Sequence, residues 1–290
     1  MKVAVLADVH ANLPALLAAA ADLDEWKPDH VIVNGDLVNR GPRPAECLEF
    51  VLDKVAHSGW LLVRGNHEDY VILHAGPDAP RSSAARQVHQ ASYWTYCQLD
   101  KKVRPLTDMP AAQWLTDPGG GQVCFTHGSL LGRRDGIYPE TSKAQLRAKI
   151  GLNGRPNAGA ERLAGFVVGH THRALVRQLD QALVVNAGSV GLPFDHDRRL
   201  CYARLTWQAS QWRAEIVRLE YDYPQAIQDF YTTGYLDQGG PLVDLVLKEL
   251  LEARSHLYNW AVQYQDLALH GQISVRAAVD RYLDASGARR

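Results

Sequence analysis

Short apolar runs, each closed by a polar turn, recur along most of the chain, with amphipathic stretches between them. Val3-Ala4-Val5-Leu6-Ala7 is aliphatic throughout, the pattern of a strand buried on both faces. It ends in Asp8-Val9-His10-Ala11-Asn12, after which a helix is expected from about Leu13 to Trp26. Asn12 suits the N-cap and Pro14 the first turn, while Leu13, Leu16, Leu17, Ala20 and Leu23 share one face. Val31-Ile32-Val33 then runs into Asn34-Gly35-Asp36, and a second helix pattern covers roughly Pro44 to Ala56. Leu61-Leu62-Val63 runs into Arg64-Gly65-Asn66-His67. Strand, turn, helix, strand is βαβ grammar, and it predicts an α/β fold with a largely parallel sheet covered by helices.

Residues 77–117 interrupt this order. They hold several prolines, a helix-like stretch from Ala84 to Leu99 and no clear strand, so an inserted helical segment is expected. Val123-Cys124-Phe125 resumes the pattern and ends in Thr126-His127-Gly128. Residues 129–160, rich in Gly, Arg and Pro, read as an extended loop around one short helix near Ser142 to Ile150. Phe166-Val167-Val168 ends in Gly169-His170-Thr171-His172, and the runs Leu200 to Trp207 and Trp212 to Leu219 read as an antiparallel hairpin. From Pro224 onward the chain reads as helical, most clearly over Leu242 to Ala253 and Leu257 to Ala268. The expected organisation is a core over residues 1–221, carrying the 77–117 insertion, and a helical extension over 222–290 packed on that core.

The polar residues that close the runs carry the chemistry. Five runs deliver an Asp, Asn or His at their C-terminal ends, in or beside turns that mostly contain glycine. In an open α/β sheet those ends line the ligand crevice, so Asp8, His10, Asp36, Asn66, His127, His170 and His172 are expected to converge on one sheet edge. Taken singly, Asp-x-His is commonly a capped turn and Gly-Asp a commonplace loop. His-Thr-His beside a glycine is more specific, because two imidazoles at that spacing rarely serve packing alone. All of them together, each at a strand end, point to a metal site. Imidazole with carboxylate and amide oxygen suits Mn, Fe, Co, Ni or Zn, and the lack of thiolate argues against a structural zinc.

Composition narrows the class. Hydrophobic residues make up 46% of the chain and charged residues 22%, ordinary for a soluble globular protein. A net charge of −1 implies no basic surface, so dedicated nucleic-acid binding is not expected. The cysteines Cys47, Cys97, Cys124 and Cys201 lie far apart with no Cys-x-x-Cys pair, and read as reduced, mostly buried residues. The N-terminus does not resemble a secretion signal, and no apolar run approaches the roughly 18 residues of a membrane span. A cytoplasmic protein with no membrane association is expected.

Asp8-x-His10, Gly35-Asp36, Gly65-Asn66-His67-Glu68, His127 and Gly169-His170-Thr171-His172 resemble the signature blocks of the calcineurin-like metallophosphoesterase superfamily, over residues 3 to about 191. That resemblance implies a four-layer α-β-β-α sandwich with two metal ions at the C-terminal ends of the strands. It places Asp8, His10 and His172 on one ion, Asn66, His127 and His170 on the other, and Asp36 between them. His67 stands beside them as a non-ligating catalytic histidine. Two divalent ions outweigh the carboxylates of Asp8 and Asp36, and neutral Asn66 preserves positive charge for an anionic phosphate. Ions about 3.5–4 Å apart acidify a bridging water for in-line attack on phosphorus, and His67 assists the leaving oxygen.

The implied activity is hydrolysis of phosphodiesters or small phosphomonoesters, nucleotides among them. A protein phosphatase and a non-catalytic scaffold of the same fold are the alternatives. Arg40, one short loop beyond Asp36, is expected to clamp phosphate oxygens; its plain alternative is a surface arginine paired with a carboxylate. The related Ser/Thr protein phosphatases carry Asp where this chain has Asn39, which cannot supply the negative charge that raises the pKa of His67. Asn186-Ala187-Gly188-Ser189-Val190-Gly191-Leu192-Pro193 is similar to the closing block of bacterial and archaeal phosphodiesterases, and is expected to pack near the metals without performing chemistry. Arg133, Arg134, Asp195, His196 and Arg198 read equally as residues at the mouth of the site or as solvated loop charges. The remaining histidines, His89 among them, are assigned to surface or core.

Overall fold

A computed structural model describes residues 1–152 and 162–287. Its strands form two five-stranded sheets. Strand β1 (Lys2–Leu6), helix α1 (Leu13–Trp26), β2 (His30–Asn34), α2 (Pro44–Ser58) and β3 (Leu61–Val63) follow the expected order. Helices α3 (Asn66–Ile72), α4 (Ser83–Val88), α5 (Gln90–Gln98) and α6 (Arg104–Thr107) lead to β4 (Ala112–Thr116). Then come β5 (Gln122–Thr126), α7 (Lys143–Lys149), β6 (Leu163–Val168), β7 (Leu175–Leu179) and β8 (Ala182–Asn186). The hairpin β9 (Leu200–Gln208) and β10 (Gln211–Leu219) precedes helices α8 (Tyr223–Thr232), α9 (Tyr235–Gln238), α10 (Val243–Glu252), α11 (Leu257–Trp260), α12 (Asp266–Leu269) and α13 (Val275–Ala285).

The first sheet has the order β10-β9-β1-β2-β3 and the second β4-β5-β6-β8-β7. The strands that end in candidate ligands, β1, β2, β3 and β5, β6, run parallel to their sequential neighbours, so their C-terminal ends share an edge in each sheet. Strand periodicity makes the layers. Val3, Val5 and Ala7 of the first sheet meet Val123, Phe125, Val167 and Val185 of the second in one buried cluster. Ala4, Leu6, Val31 and Val33, on the opposite face, pack on Leu16, Ala19 and Leu23 of α1 and Cys47 and Val51 of α2. On the far side Cys124, Phe166, Val168 and Val184 are covered by Ile137, Leu146 and Ile150. Helix, sheet, sheet, helix is the four-layer α-β-β-α sandwich that the resemblance implied. Cys47, Cys124 and Cys201 are buried and all four cysteines are free.

The 77–117 segment is not wholly helical. It ends in β4, which pairs antiparallel with β5 from Ala112↔Thr126 to Thr116↔Gln122. Strand β7 likewise pairs only with β8. Both lie at sheet edges, where one side faces solvent and an apolar run is not required; Trp114 and Val176 are both exposed. The expected helix over Ala84 to Leu99 is broken at His89 into α4 and α5, and the expected helix over Leu257 to Ala268 contains a π turn at Ala261–Gln265. Of the loop expected over 129–160, residues 153–160 lie outside the described residues. Arg43 ties the turn after β2 to the C-terminal helices through buried Asp229 at 2.7 Å, and α8 packs on α1. Among the described residues no helix is long and apolar enough to cross a membrane.

Candidate metal centre

The candidate ligands sit at strand ends or in the turns beyond them, except Asn66, the first residue of α3, and the turns are strained. Asp8, His10, Asp36, His170 and His172 all adopt left-handed backbone, with φ between 49° and 67°. For non-glycine residues this costs about 1–2 kcal/mol each. Five such residues at one sheet edge mean that the surrounding hydrogen bonds impose the geometry. Asp8 N donates to Gly35 O at 3.1 Å, His10 N to Asp36 O at 2.9 Å, and His170 N to Asp8 Oδ2 at 2.8 Å. The turns are thus bonded to one another across the edge. Gly65 fits only as glycine: a Cβ there would lie 2.1 Å from Asp36 Oδ1.

Glu68 holds the centre of this lattice. Its side chain is fully buried; Oε2 accepts from Asp36 N at 2.9 Å and Gly65 N at 2.8 Å, and Oε1 from Leu37 N at 2.8 Å and Val38 N at 3.2 Å. Burial, then the neighbouring Asp36 carboxylate, pushes its carboxyl up to about 7 against those four donors. The Gly65-Asn66-His67-Glu68 motif alone does not assign Glu68 this role. Its signal was a glutamate at the third position of a helix, where the side chain reaches back to the N-terminal amides.

The donor set has a specific chemical character. His10 Nδ1 donates to Asn39 O at 3.2 Å, His127 Nδ1 to Asn34 O at 3.0 Å, and His172 Nδ1 to Leu192 O. A carbonyl can only accept, so each ring carries a proton on Nδ1 and turns Nε2 inward. The inward atoms meet closely. His10 Nε2 is 3.1 Å from His172 Nε2, His127 Nε2 is 3.0 Å from Asn66 Oδ1 and 3.2 Å from Asp36 Oδ2, and His172 Nε2 is 3.3 Å from Asp8 Oδ1. Asp8 Oδ1 is buried without a hydrogen-bond partner. The His10 and His172 rings both spend Nδ1–H on a carbonyl, so their Nε2 lone pairs repel at 3.1 Å unless positive charge lies between them, while a proton or a cation closes the His127–Asp36 contact. The residues therefore fit divalent cations, and two clusters bring their ligand atoms within 4.8 Å of one another: Asp8 with His10 and His172, and Asp36 with His127 and His170. A third group joins His10, Asp36 and His67, so Asp36 faces both clusters.

The electrostatics agree. Burial, then His172, lowers the pKa of His10 well below the usual histidine value. Burial, then His127, lowers His170 to about 4. Burial disfavours charge on His127 too, but the Asp36 carboxylate, its hydrogen bond and Asp8 carry that ring up to about 10. Asp36, which burial alone would raise, is held well below the ordinary carboxylate value, first by His127 and then by His67.

His67 lies in the first turn of α3. Its N–H donates to Asp36 Oδ1 at 2.8 Å, its Nδ1 meets Asn39 Nδ2 at 2.9 Å, and its Nε2 is 4.0 Å from Asp36 Oδ2. Arg40 is nearly buried, and its Nη1 lies 3.8 Å from Oε2 of Glu249, a fully buried carboxylate on α10. That distance is an ion pair too long for a hydrogen bond, and among the described residues neither Arg40 Nε nor Glu249 Oε2 has a hydrogen-bond partner. Sequence reasoning missed Glu249, which is remote in the chain and sits in a helix with no motif. The Asn186–Pro193 block reaches back over β1: Ser189 Oγ donates to Asp8 O at 2.7 Å and Gly191 N to the same oxygen at 3.0 Å. Leu192 supplies the carbonyl that orients His172, and Phe194 stacks on the ring at 4.2 Å.

A cavity of about 890 Å³ opens on Asp36, Asn66, His67, His170 and His172. Asp8, His10 and His127 lie behind these residues and do not line it. Of the loop charges left open by sequence, Arg134 and His196 line the cavity. Arg133 pairs with Asp69, Asp195 pairs with Arg218, and Arg198 lies over Tyr223. His89, assigned from sequence to surface or core, also lines the cavity, because the break between α4 and α5 turns it inward.

This fold and this donor set define a metal-dependent phosphoric ester hydrolase. The sequence profile of the calcineurin-like phosphoesterase superfamily domain matches residues 1–210. The chain belongs to that superfamily. A metallophosphoesterase structure from Sphaerobacter thermophilus is 26% identical with a TM-score of 0.65, covering 87% of this chain and all of that one. A hypothetical protein from Pyrococcus horikoshii shares the fold with a TM-score of 0.71 at 20% identity, covering 88% of this chain and 99% of that one. Phosphodiesterase YfcE of Escherichia coli is 25% identical over 204 residues, 67% of this chain and 81% of that protein.

Proposed function

We propose that the protein is a binuclear phosphoesterase that hydrolyses phosphodiesters or small phosphomonoesters. The observation that carries this reading is the pair of clusters facing a shared Asp36 across inward-turned lone pairs. Asp8, His10 and His172 would hold one ion and Asn66, His127 and His170 the other, with Asp36 a ligand shared by the two. Manganese, iron, cobalt, nickel and zinc all suit these donors. When bound, the ions supply Lewis acidity and an activated water for in-line attack on phosphorus.

The chain's own residues do the remainder. The backbone carbonyls of Asn34, Asn39 and Leu192 fix the imidazole tautomers, so no ligand reorients as the reaction proceeds. Asn66 contributes oxygen without charge, which keeps the site attractive to a phosphate anion. With Asn39 Nδ2 donating to Nδ1, His67 carries its proton on Nε2, where it donates to the departing ester oxygen. Arg40 reaches the same cavity and serves as the phosphate clamp.

The neutral Asn39 beside His67, a cavity walled by three chain segments, and the resemblance to phosphodiesterase YfcE support a small ester over a protein substrate. The free cysteines support a reducing compartment, the cytoplasm. The test is turnover of bis-p-nitrophenyl phosphate with Mn²⁺ by wild type, Asp36→Ala and His67→Ala. Wild type is expected to be active, Asp36→Ala to lose metal and activity, and His67→Ala to keep metal while losing about 10²–10⁴-fold in rate. Equal turnover in all of them overturns the reading and leaves a scaffold of the same fold.

A further inference from the structure

The cavity is far larger than the reaction requires. Pockets of about 300–1,000 Å³ bury a drug-sized ligand. At about 890 Å³ this one has room for much more than a phosphate group. Its outer wall comes from segments that hold no metal-ligand block: the α4–α5 junction, the loop around Arg134 to Glu140, and the C-terminal helices from Leu242 to Gln265. What those segments contribute is selective.

Charge is the first feature. The chain as a whole carries −1, yet the lining holds Arg40, Arg134, Arg173 and Arg254, and among the described residues its only carboxylate besides Asp36 is Glu140. Many arginines among the described residues are paired, Arg43 with Asp229, Arg204 with Asp22 and Arg218 with Asp195 among them. Arg134 and Arg254 have no carboxylate within ion-pair distance among the described residues. Arg134 lies over the Tyr70 ring at 4.8 Å, and that ring is 5.1 Å from His67. The first unpaired cation is therefore one aromatic ring away from the catalytic histidine. Arg254 comes from the segment after α10, next to Ala253, whose carbonyl accepts from His196 N at 3.0 Å. Arg173 bonds Glu140 at 2.8 Å, an exposed pair that an anion can open at little cost. Such a concentration of one sign in a cleft focuses the field on an incoming anion.

Aromatic surface is the second feature. Tyr138 and Tyr258 both line the cavity, at 39% and 67% exposure. Tyr138 comes from the loop after β5 and Tyr258 from α11. Flat, exposed rings beside unpaired guanidinium groups are the elements that hold a nucleobase and its phosphates.

We propose that the outer cavity is a leaving-group subsite for a nucleotide ester: a base stacks on Tyr258 and Tyr138, and a second phosphate sits against Arg134 and Arg254. This rests on the phosphoesterase reading and names its substrate class. No new bond chemistry is involved; the scissile ester remains at the metals and the nucleotide portion leaves.

The experiment is calorimetric titration of Mn²⁺-loaded protein with ADP, pyrophosphate and inorganic phosphate, with bis-p-nitrophenyl phosphate turnover measured on the same preparations. ADP is expected to bind about tenfold or more tighter than pyrophosphate, the increment of one stacked base, and pyrophosphate tighter than phosphate. The double variant Tyr138→Ala/Tyr258→Ala brings ADP down to pyrophosphate, while Tyr258→Phe keeps the preference. Arg134→Ala/Arg254→Ala brings pyrophosphate down to phosphate. All of these leave phosphate affinity within about twofold of wild type. ADP binding no tighter than phosphate overturns the proposal, as does an equal loss for all three ligands in the variants. The two readings separate: turnover without an ADP preference sinks only the subsite, and an ADP preference without turnover sinks only the hydrolase.

Discussion

Asn39 Nδ2 lies 2.9 Å from His67 Nδ1, both side chains being buried. The amide is a two-way partner. As placed, its NH₂ donates to Nδ1 of a neutral ring; turned over, Oδ1 accepts from the Nδ1–H of a charged ring. Oδ1 has no hydrogen-bond partner, so the turn breaks no other bond. Burial first, and then Arg40 and His10, lower the His67 pKa well below the usual value, and Asp36 opposes them. Asn39 does not help Asp36. Asn39→Asp adds a fixed negative charge at Nδ1, which raises the His67 pKa. The limb of the pH–rate profile that reports His67 is expected to move to higher pH. An unmoved profile would show that the contact does not tune this histidine.

Glu68 offers a stability prediction. Its four amide donors leave no room for a side chain that itself donates. Glu68→Ala orphans those amides and opens a cavity, so a loss of about 3–5 kcal/mol is expected in denaturant unfolding. Glu68→Gln is expected to be nearly as harmful, because its NH₂ would face two N–H groups. A glutamine variant as stable as wild type would contradict this picture of the lattice.

Arg40 and Glu249 make the third. One Glu249 oxygen accepts from His256 N and Leu257 N, both at 2.8 Å, and the other faces Arg40. Glu249→Gln keeps the backbone bonds and removes the charge that draws Arg40 into place. If Arg40 is the phosphate clamp, Glu249→Gln raises KM for bis-p-nitrophenyl phosphate several-fold with metal content unchanged, and Arg40→Ala costs about 10–100-fold in kcat/KM. Wild-type KM in Glu249→Gln would mean that the C-terminal helices do not position the clamp.

Metal loading is expected to release a proton. With its pKa raised to about 10, His127 carries a proton at pH 8 before the ion binds. A metal ligand must present the lone pair, so binding displaces that proton, and affinity rises with pH up to about 10. His170, lowered to about 4, is already neutral and releases none at that pH. Titrating Mn²⁺ in buffers of different ionisation enthalpy measures the release. Heats that do not depend on the buffer would contradict the assignment.

Much of the layer structure was legible because β1, β2, β5 and β6 are buried on both faces and must read as continuous apolar runs. The edge strands β4 and β7 were not, since one-sided pairing leaves Gln113, Trp114 and Arg177 acceptable there. Asp8, Asp36 and the histidine pair announced themselves by falling at strand ends. The left-handed backbone that aims them did not, because φ is set by cross-strand bonds such as His10 N to Asp36 O. Glu249 meets Arg40, and Arg254 joins the cavity, only through the tertiary placement of the C-terminal helices.

The count of metal ions per chain tests the central claim most directly. Protein reconstituted with Mn²⁺, freed of excess and analysed by inductively coupled plasma mass spectrometry is expected to hold two ions per chain, and Asp36→Ala to hold clearly fewer. Turnover should rise with the second ion and vanish with a chelator. A chain that saturates at one ion, or turns over bis-p-nitrophenyl phosphate with none, would contradict a centre built on Asp36 as the shared ligand.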